Sequence, residues 1–501
     1  VTEDNPEGRV NLMKSGAKRN ALAAAALVVA AAWAVADGLN RPFWYDEALT
    51  IMEFLSLGSV AKIYQNYQIP NNHISYTWLL LFWSDLWLKI MPYSELVFRA
   101  LSALVGALCA LAMWSCWRRR LLAWPAFLLS LAFAVSIPFQ IYSTAVRGYA
   151  LSALLAAVSL ELHARLTRRA RPVPTLLYLA TAFLMVGVMP SNLAFFAALA
   201  LTAFPRKPGL RTLARWAAIS ALPLLAFAVF YLPLLPMLAS SAKATGGWAS
   251  GTAAAWHFYA AFAVMTAPLL IPAAFGVFST PLARLLTWRA ALTALAFVLP
   301  ALLFLSRTPS PFPRSLWAFW ILWLFLLGWP LLRAAALARR RWGRGKARLL
   351  AAACAVLVVV CGAVGKVNVR ALSEATTAPG EQDDFAAPYY TTDFHPRELA
   401  ESIVELRKAA PRGVELFVSP VADPPSLLIY SLLAGLPDTA VKFDKPKIMI
   451  TELGGGEEDL YVVARDDTDM ASLKTRFHLG VATLTGDFGA QKLYSVSKEK
   501  K

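Results

Sequence analysis

The chain has 501 residues, 58% of them hydrophobic, with a mean hydropathy of +0.52 and a formal charge of +17. Repeated apolar runs of about 18–20 residues exceed what a soluble core can hide and argue for membrane helices. The basic excess falls in bursts at the ends of those runs, which fits membrane orientation and argues against nucleic-acid binding.

The charge divides unevenly. From Glu374 onward there are 21 acidic and 14 basic residues, a net of −7, which leaves 10 acidic and 34 basic residues, +24, before it. The expected organisation is an amino-terminal tail (1–20), a basic membrane body (21–365) and an acidic soluble domain (366–501). Lys14, Lys18 and Arg19 precede the first apolar run, whose end, Ala34-Val35-Ala36, resembles a cleavable signal. The run is long enough to span, and it is read as a membrane helix.

Apolar segments follow at 21–38, 98–117, 121–138, 148–164, 174–190, 192–204, 214–236, 259–280, 290–306, 315–333 and 349–365. Basic clusters at 118–120, 165–171, 206–215, 284–289 and 333–348 mark every second junction. The alternate junctions, 39–97, 138–147, 237–258 and 306–314, carry only scattered Lys and Arg. The positive-inside rule then places the amino terminus and the basic loops inside, and the residues after about 366 outside. The Trp-rich stretch 74–90 breaks this alternation if it spans, so it is read as a helix lying in the outer interface. Cys109, Cys116, Cys354 and Cys361 sit inside apolar runs with no metal-ligand spacing, and packing is their expected role.

The soluble domain reads as a small α/β fold, with helices over 395–410 and 426–434 and strands over 415–419 and 460–464. Gly454-Gly455-Gly456 lacks the layout of a nucleotide-binding loop and is read as a turn. No internal repeat is evident.

Chemistry can nearly be located by exhaustion. No Asp or Glu lies between Glu161 and Glu374. Asp46-Glu47, preceded by Phe43-Trp44-Tyr45, opens the longest outer loop, where a carboxylate is placed to take a proton from an acceptor hydroxyl. Glu47 is either a second catalytic carboxylate or the residue that holds the geometry; an acidic pair satisfied by Arg41 or water is the plain structural alternative. Around the same face stand His73, Arg147, Tyr149, Arg307 and Arg314, and guanidinium groups at headgroup level grip a phosphate bidentately. Their plain alternative is lipid anchoring. The Gly/Ser-rich loop 237–258 is expected to order over substrate, with Lys243 and Trp248 near the cleft; a simple connector is the competing reading.

These residues resemble the GT-C membrane glycosyltransferases, in the branch of protein O-mannosyltransferases and lipid A aminoarabinose transferases. Trp44-Tyr45-Asp46-Glu47 follows the first span as that signature does. His73 falls where the branch has His-Pro-Pro, here with Ile74-Ser75 for the prolines. Arg99-Ala-Leu-Ser-Ala-Leu-Val-Gly106 looks like the family's opening of the second span. Arg147-Gly148-Tyr149-Ala-Leu151 is similar to Arg-Pro-Tyr-Ala-Leu, and Pro313-Arg314-Ser315 to Pro-Arg-Tyr.

The resemblance implies a polytopic α-helical protein of about eleven spans plus interfacial helices, GT-C-like, with a small carboxy-terminal α/β soluble domain, in the inner membrane of a bacterium. It implies an inverting transferase that takes a sugar from a polyprenyl-phosphate donor to a glycan, lipid or protein acceptor at the outer face. Asp46 would be the base; Arg147, Arg314 and His73 would stabilise the phosphate leaving group, with Trp44, Tyr45, Tyr149, Arg307 and Lys243 lining the site. No metal and no cofactor are expected. A transporter or flippase for a lipid-linked sugar is the alternative, but it would place ionisable residues near the midplane, often in repeated halves.

Overall fold

A computed structural model describes residues 6–67, 72–205, 209–237, 250–281, 287–306, 310–374, 395–410, 414–419, 422, 424–434, 442–443, 459–489 and 491–497. Contacts divide the chain into two compact units. The first is chiefly Val1–Leu39 and Ser59–Val367, and the second chiefly Asn40–Gly58 and Ala387–Lys501.

In chain order the first helices are α1 (Pro6–Val35), α2 (Tyr45–Leu49), α3 (Val60–Gln65), α4 (Ile74–Trp87), α5 (Glu95–Leu121), α6 (Ala123–Ala134) and α7 (Ile137–Tyr142). They continue with α8 (Tyr149–Leu166), α9 (Pro172–Val188), α10 (Asn192–Thr202), α11 (Leu210–Tyr231), α12 (Gly251–Phe278), α13 (Trp288–Leu305) and α14 (Ala318–Glu374). All but α2 belong mainly to the first unit. Among the described residues, α1, α5, α8, α11, α12 and α14 are long and apolar enough to cross a membrane, and α6, α9, α10 and α13 are shorter apolar helices. Each of the eleven predicted apolar runs carries a helix, and the protein is a polytopic membrane protein.

Two helices differ in detail from the expected runs. Gly343, at φ 78°, breaks α14 inside the basic stretch, so it holds two of the predicted runs. The run 121–138 ends early because Ser136 starts a new helix: its Oγ accepts the Phe139 N–H at 3.3 Å, and Pro138 suits the first turn of α7. Gln140 of α7 then donates to the carbonyls of Val135 and Gly362, at 2.9 and 3.3 Å, tying α7 to the end of α14.

Other polar ties gather the same helix ends. Arg99, fully buried on α5, donates to the Gly38 carbonyl at 2.8 Å. Lys366 lies 3.4 Å from Asp37 and 4.6 Å above the Trp33 ring centroid, which binds the end of α14 to the end of α1. Helix α4, the Trp-rich stretch, has 14 residues. At 1.5 Å per residue it is about 21 Å long, short of the ~30 Å hydrocarbon core. It buries Ile74, Ser75, Tyr76, Thr77, Leu80, Leu81 and Ser84.

The second unit holds a five-stranded sheet of order β2-β1-β3-β5-β4, from β1 (Val414–Val418), β2 (Lys442–Phe443), β3 (Asp459–Ala464), β4 (Ala482–Asp487) and β5 (Lys492–Val496). Strand β1 runs parallel to β2 and β3, while β5 is antiparallel to β3 and β4. Helices α15 (Pro396–Ala409), α16 (Pro424–Leu433) and α17 (Asp467–Phe477) complete it. Four of the predicted elements are present within two residues; α17 and the β4–β5 hairpin extend the reading. One face of the sheet packs Phe417, Leu460, Val462 and Tyr494 against Met470 and Leu473 of α17. The glycine run at 454–456 lies outside the described residues.

The sequence division kept 39–97 together with the membrane body, whereas contacts group residues 40–58 with the soluble domain. The physical tie is Phe43: its N–H donates to the Tyr430 hydroxyl at 2.9 Å, and the two rings stack with centroids 6.2 Å apart.

Candidate functional site

In the first unit, three separate stretches of chain bring His73, Arg147 and Arg314 together. His73 sits at the N-cap of α4, held there by Asn72, whose amide donates to the carbonyls of Ile63 and Asn66, both at 3.2 Å. One turn into α4, the Tyr76 hydroxyl meets Ser102 at 2.7 Å, and Ser102 donates to the Ala145 carbonyl at 2.6 Å. That chain fixes the 143–148 segment, and with it Arg147, against α4 and α5. Arg314 lies in a 3₁₀ turn, Pro313–Leu316, its guanidinium 4.1 Å from the Phe312 ring centroid. The turn is anchored by Ser191, which donates to the Ser315 carbonyl at 2.8 Å.

Aromatic rings join the three stretches. Tyr149 meets His73 edge-on at 5.1 Å and packs on Tyr142 at 4.8 Å, and Tyr142 packs on Trp317 at 5.4 Å. His73, Arg147 and Arg314 are all buried. Burial, then the charges of Arg147 and Arg314, hold the His73 imidazole well below its ordinary range, so the ring is neutral.

The hydrogen bonds of His73 conflict, and the conflict is informative. Its Nδ1 receives the Gly148 N–H at 2.8 Å, and its Nε2 faces the Arg147 Nη2 at 3.1 Å. A neutral imidazole has one donor and one acceptor, whereas the Gly148 amide and the guanidinium only donate. Whichever tautomer the ring takes, one nitrogen points a proton at another donor. A shared acceptor such as a phosphate oxygen resolves this, and the N-terminus of α8, which begins at Tyr149, adds a favourable dipole. The arrangement can hold an anion.

Gly148 is the residue whose importance the sequence reading missed; it registered only as a departure from proline. A Cβ there would lie 2.3 Å from Val188 Cγ1 and 3.0 Å from His73 Nδ1. Proline would also remove the amide that orients the imidazole. Gly148→Pro is therefore expected to lower transfer at least tenfold with expression retained, read by donor turnover in purified protein; unchanged turnover would separate the amide from function.

The acidic pair lies in the second unit, on α2. Asp46 and Glu47 are both buried, with Glu47 fully so. The Glu47 carboxylate accepts the Trp44 N–H at 3.2 Å, the return half of a capping box, so Glu47 shapes its own helix. Phe43 and Trp44 are buried, whereas Tyr45 is exposed. Arg307, Lys243 and Trp248 lie outside the described residues. Among the described residues, no group of three His, Cys, Asp or Glu side chains stands ready for a metal ion.

The fold, a polytopic helical body and a small α/β domain, is shared with solved structures of low sequence identity. The solved structures this chain is similar to include ArnT from Cupriavidus metallidurans in the apo state, at TM-score 0.55 and 15% identity over 96% of this chain and 98% of that one. The same protein bound to undecaprenyl phosphate gives TM-score 0.53 and 15% identity over 94% and 97%. The Archaeoglobus fulgidus oligosaccharyltransferase, in complex with Zn and sulfate, gives 0.50 and 10% over 82% and 61%. No protein-family model matches the sequence, and no curated protein matches it either.

Proposed function

We propose that this protein is an inverting membrane glycosyltransferase that moves a sugar from a polyprenyl-phosphate donor to an acceptor at the outer face of a bacterial inner membrane. The observation that carries the reading is the opposed donor pair of His73 and Arg147 beside Arg314. It suits a lipid-borne phosphate, the group found in the undecaprenyl phosphate complex of ArnT. In the reaction, the acceptor nucleophile gives its proton to Asp46 as it attacks the anomeric carbon. The bond from that carbon to the phosphate oxygen breaks, and the phosphate leaves with the electron pair toward Arg147 and Arg314. Cations aimed at developing phosphate charge lower this barrier, so the scheme assigns no step to a metal.

Incubating the purified full chain with a panel of polyprenyl-phosphate sugars, and following the donors by mass spectrometry, tests this directly. Consumption of one donor with release of polyprenyl phosphate is the expected result; no consumption with any acceptor class refutes the reading. The proposed orientation also predicts that reporters fused after Arg120 and after Lys366 lie on opposite sides of the membrane. Agreement between the two reporters overturns the span order.

A further inference from the structure

The first unit holds a cavity of about 960 Å³ walled by α8, α10, α12, α13 and the first part of α14. That is at the upper end of the ~300–1,000 Å³ typical of ligand sites. It does not belong to the His73–Arg147 site. Arg147 and Tyr149 stand at the start of α8, whereas Arg120, Thr167 and Arg168 line the cavity at the far end of that helix. With 18 residues at 1.5 Å each, the two ends of α8 are about 27 Å apart, nearly a bilayer core.

The cavity is amphipathic. Phe262, Phe297 and Trp323 form an apolar wall, with the Phe297 and Trp323 ring centroids 4.2 Å apart. The mouth is basic: Glu161 is held by Arg120 at 3.0 Å and Arg165 at 2.6 Å, while Arg168, whose carbonyl accepts from Arg215 at 3.0 Å, adds further positive charge. Arg120 and Arg168 line the cavity itself, and Arg165 shares the Glu161 carboxylate with Arg120.

A second observation points to an occupant. His163 is 1% exposed and lines the cavity, with Nδ1 3.0 Å from the Tyr178 hydroxyl. Its Nε2 is buried and has no hydrogen-bond partner among the described residues. A polar ring atom left unsatisfied on an otherwise apolar wall is costly unless something fills the space.

The geometry points to a lipid-binding site on the side opposite the Arg147–Arg314 cluster, for an anionic glycerophospholipid of that leaflet. The phosphate lies on Arg168 and Arg120, a glycerol ester oxygen meets His163 Nε2, and the acyl chains run toward Phe297 and Trp323. Basic pockets between membrane helices recognise anionic headgroups in this way. At ~30 Å³ per water-sized group, the cavity has room for on the order of thirty such groups, which suits paired acyl chains better than a long polyprenyl chain.

Native mass spectrometry of the full chain with phosphatidylglycerol, phosphatidylcholine or undecaprenyl phosphate tests the assignment. Two variants spare the fold, because neither side chain is buried: Arg168→Glu reverses the charge at the mouth, and Ala294→Trp fills the wall. The expected result is a phosphatidylglycerol adduct at least fivefold more abundant than the phosphatidylcholine one. It should fall at least fivefold in either variant and persist in Arg314→Ala. Equal retention of the two lipids, no loss in the two variants, loss in Arg314→Ala, or one-for-one displacement by undecaprenyl phosphate each overturns the proposal.

Discussion

Asp46→Asn is expected to lower kcat for sugar transfer by about 10²–10⁴-fold, the usual contribution of a general base, with expression and donor binding retained. The substitution keeps the size and shape of the side chain and removes only its capacity to take the proton. Glu47→Gln should behave differently, although it also removes one negative charge from the neighbouring position. Glu47 is fully buried and accepts the Trp44 N–H at 3.2 Å, a task a Gln carbonyl performs equally well in a capping box. Its activity should therefore stay within about tenfold of the wild type, below the loss expected at Asp46. Glu47→Ala loses the return half of the capping box and should loosen α2, seen as faster proteolysis within 40–58. Full turnover in Asp46→Asn, measured with saturating donor, would remove Asp46 from the mechanism.

The contrast between the two acids shows how far the sequence could be read. Run length and composition located the eleven apolar runs, because a membrane helix declares itself by those alone. Scarcity located Asp46 and Glu47, since so few carboxylates precede Glu161. The sequence offered Glu47 as a geometry-holding residue only as one of two readings, because a cap depends on backbone geometry at Trp44. Arg147, Arg314 and His73 were singled out one by one from outward loops; their convergence comes from Tyr76, Ser102 and the 3₁₀ turn at Pro313–Leu316, which no local pattern encodes. Gly148 is the sharpest case. In the sequence it is a lost proline, whereas in the fold it is a close approach and an N–H aimed at an imidazole. The break in the run 121–138 was within reach of the sequence, because Ser136 two residues before Pro138 is a helix-start signal.

Arg147→Met should lower kcat for sugar transfer by about 10²–10³-fold, the scale seen when one preorganised donor to a developing anion is removed. Lysine should not rescue it, because a point charge cannot reproduce a planar fork beside His73 Nε2. A binding readout separates this from a folding defect. Undecaprenyl phosphate at 100 times its Kd should stabilise the wild type by about 2.7 kcal/mol through mass action, visible as a rise in Tm. The same lipid should leave Arg147→Met nearly unmoved, while the Tm of the variant without lipid stays near that of the wild type. The pH dependence has a fixed sign. His73 is depressed in the folded protein, so stability is complete above the ordinary His value near 6.5 and is lost as pH falls below it. An anion beside the ring favours its protonated form, so lipid phosphate should narrow that acid loss. His73→Gln should flatten both effects. An equal Tm rise with lipid in wild type and Arg147→Met would place the phosphate elsewhere.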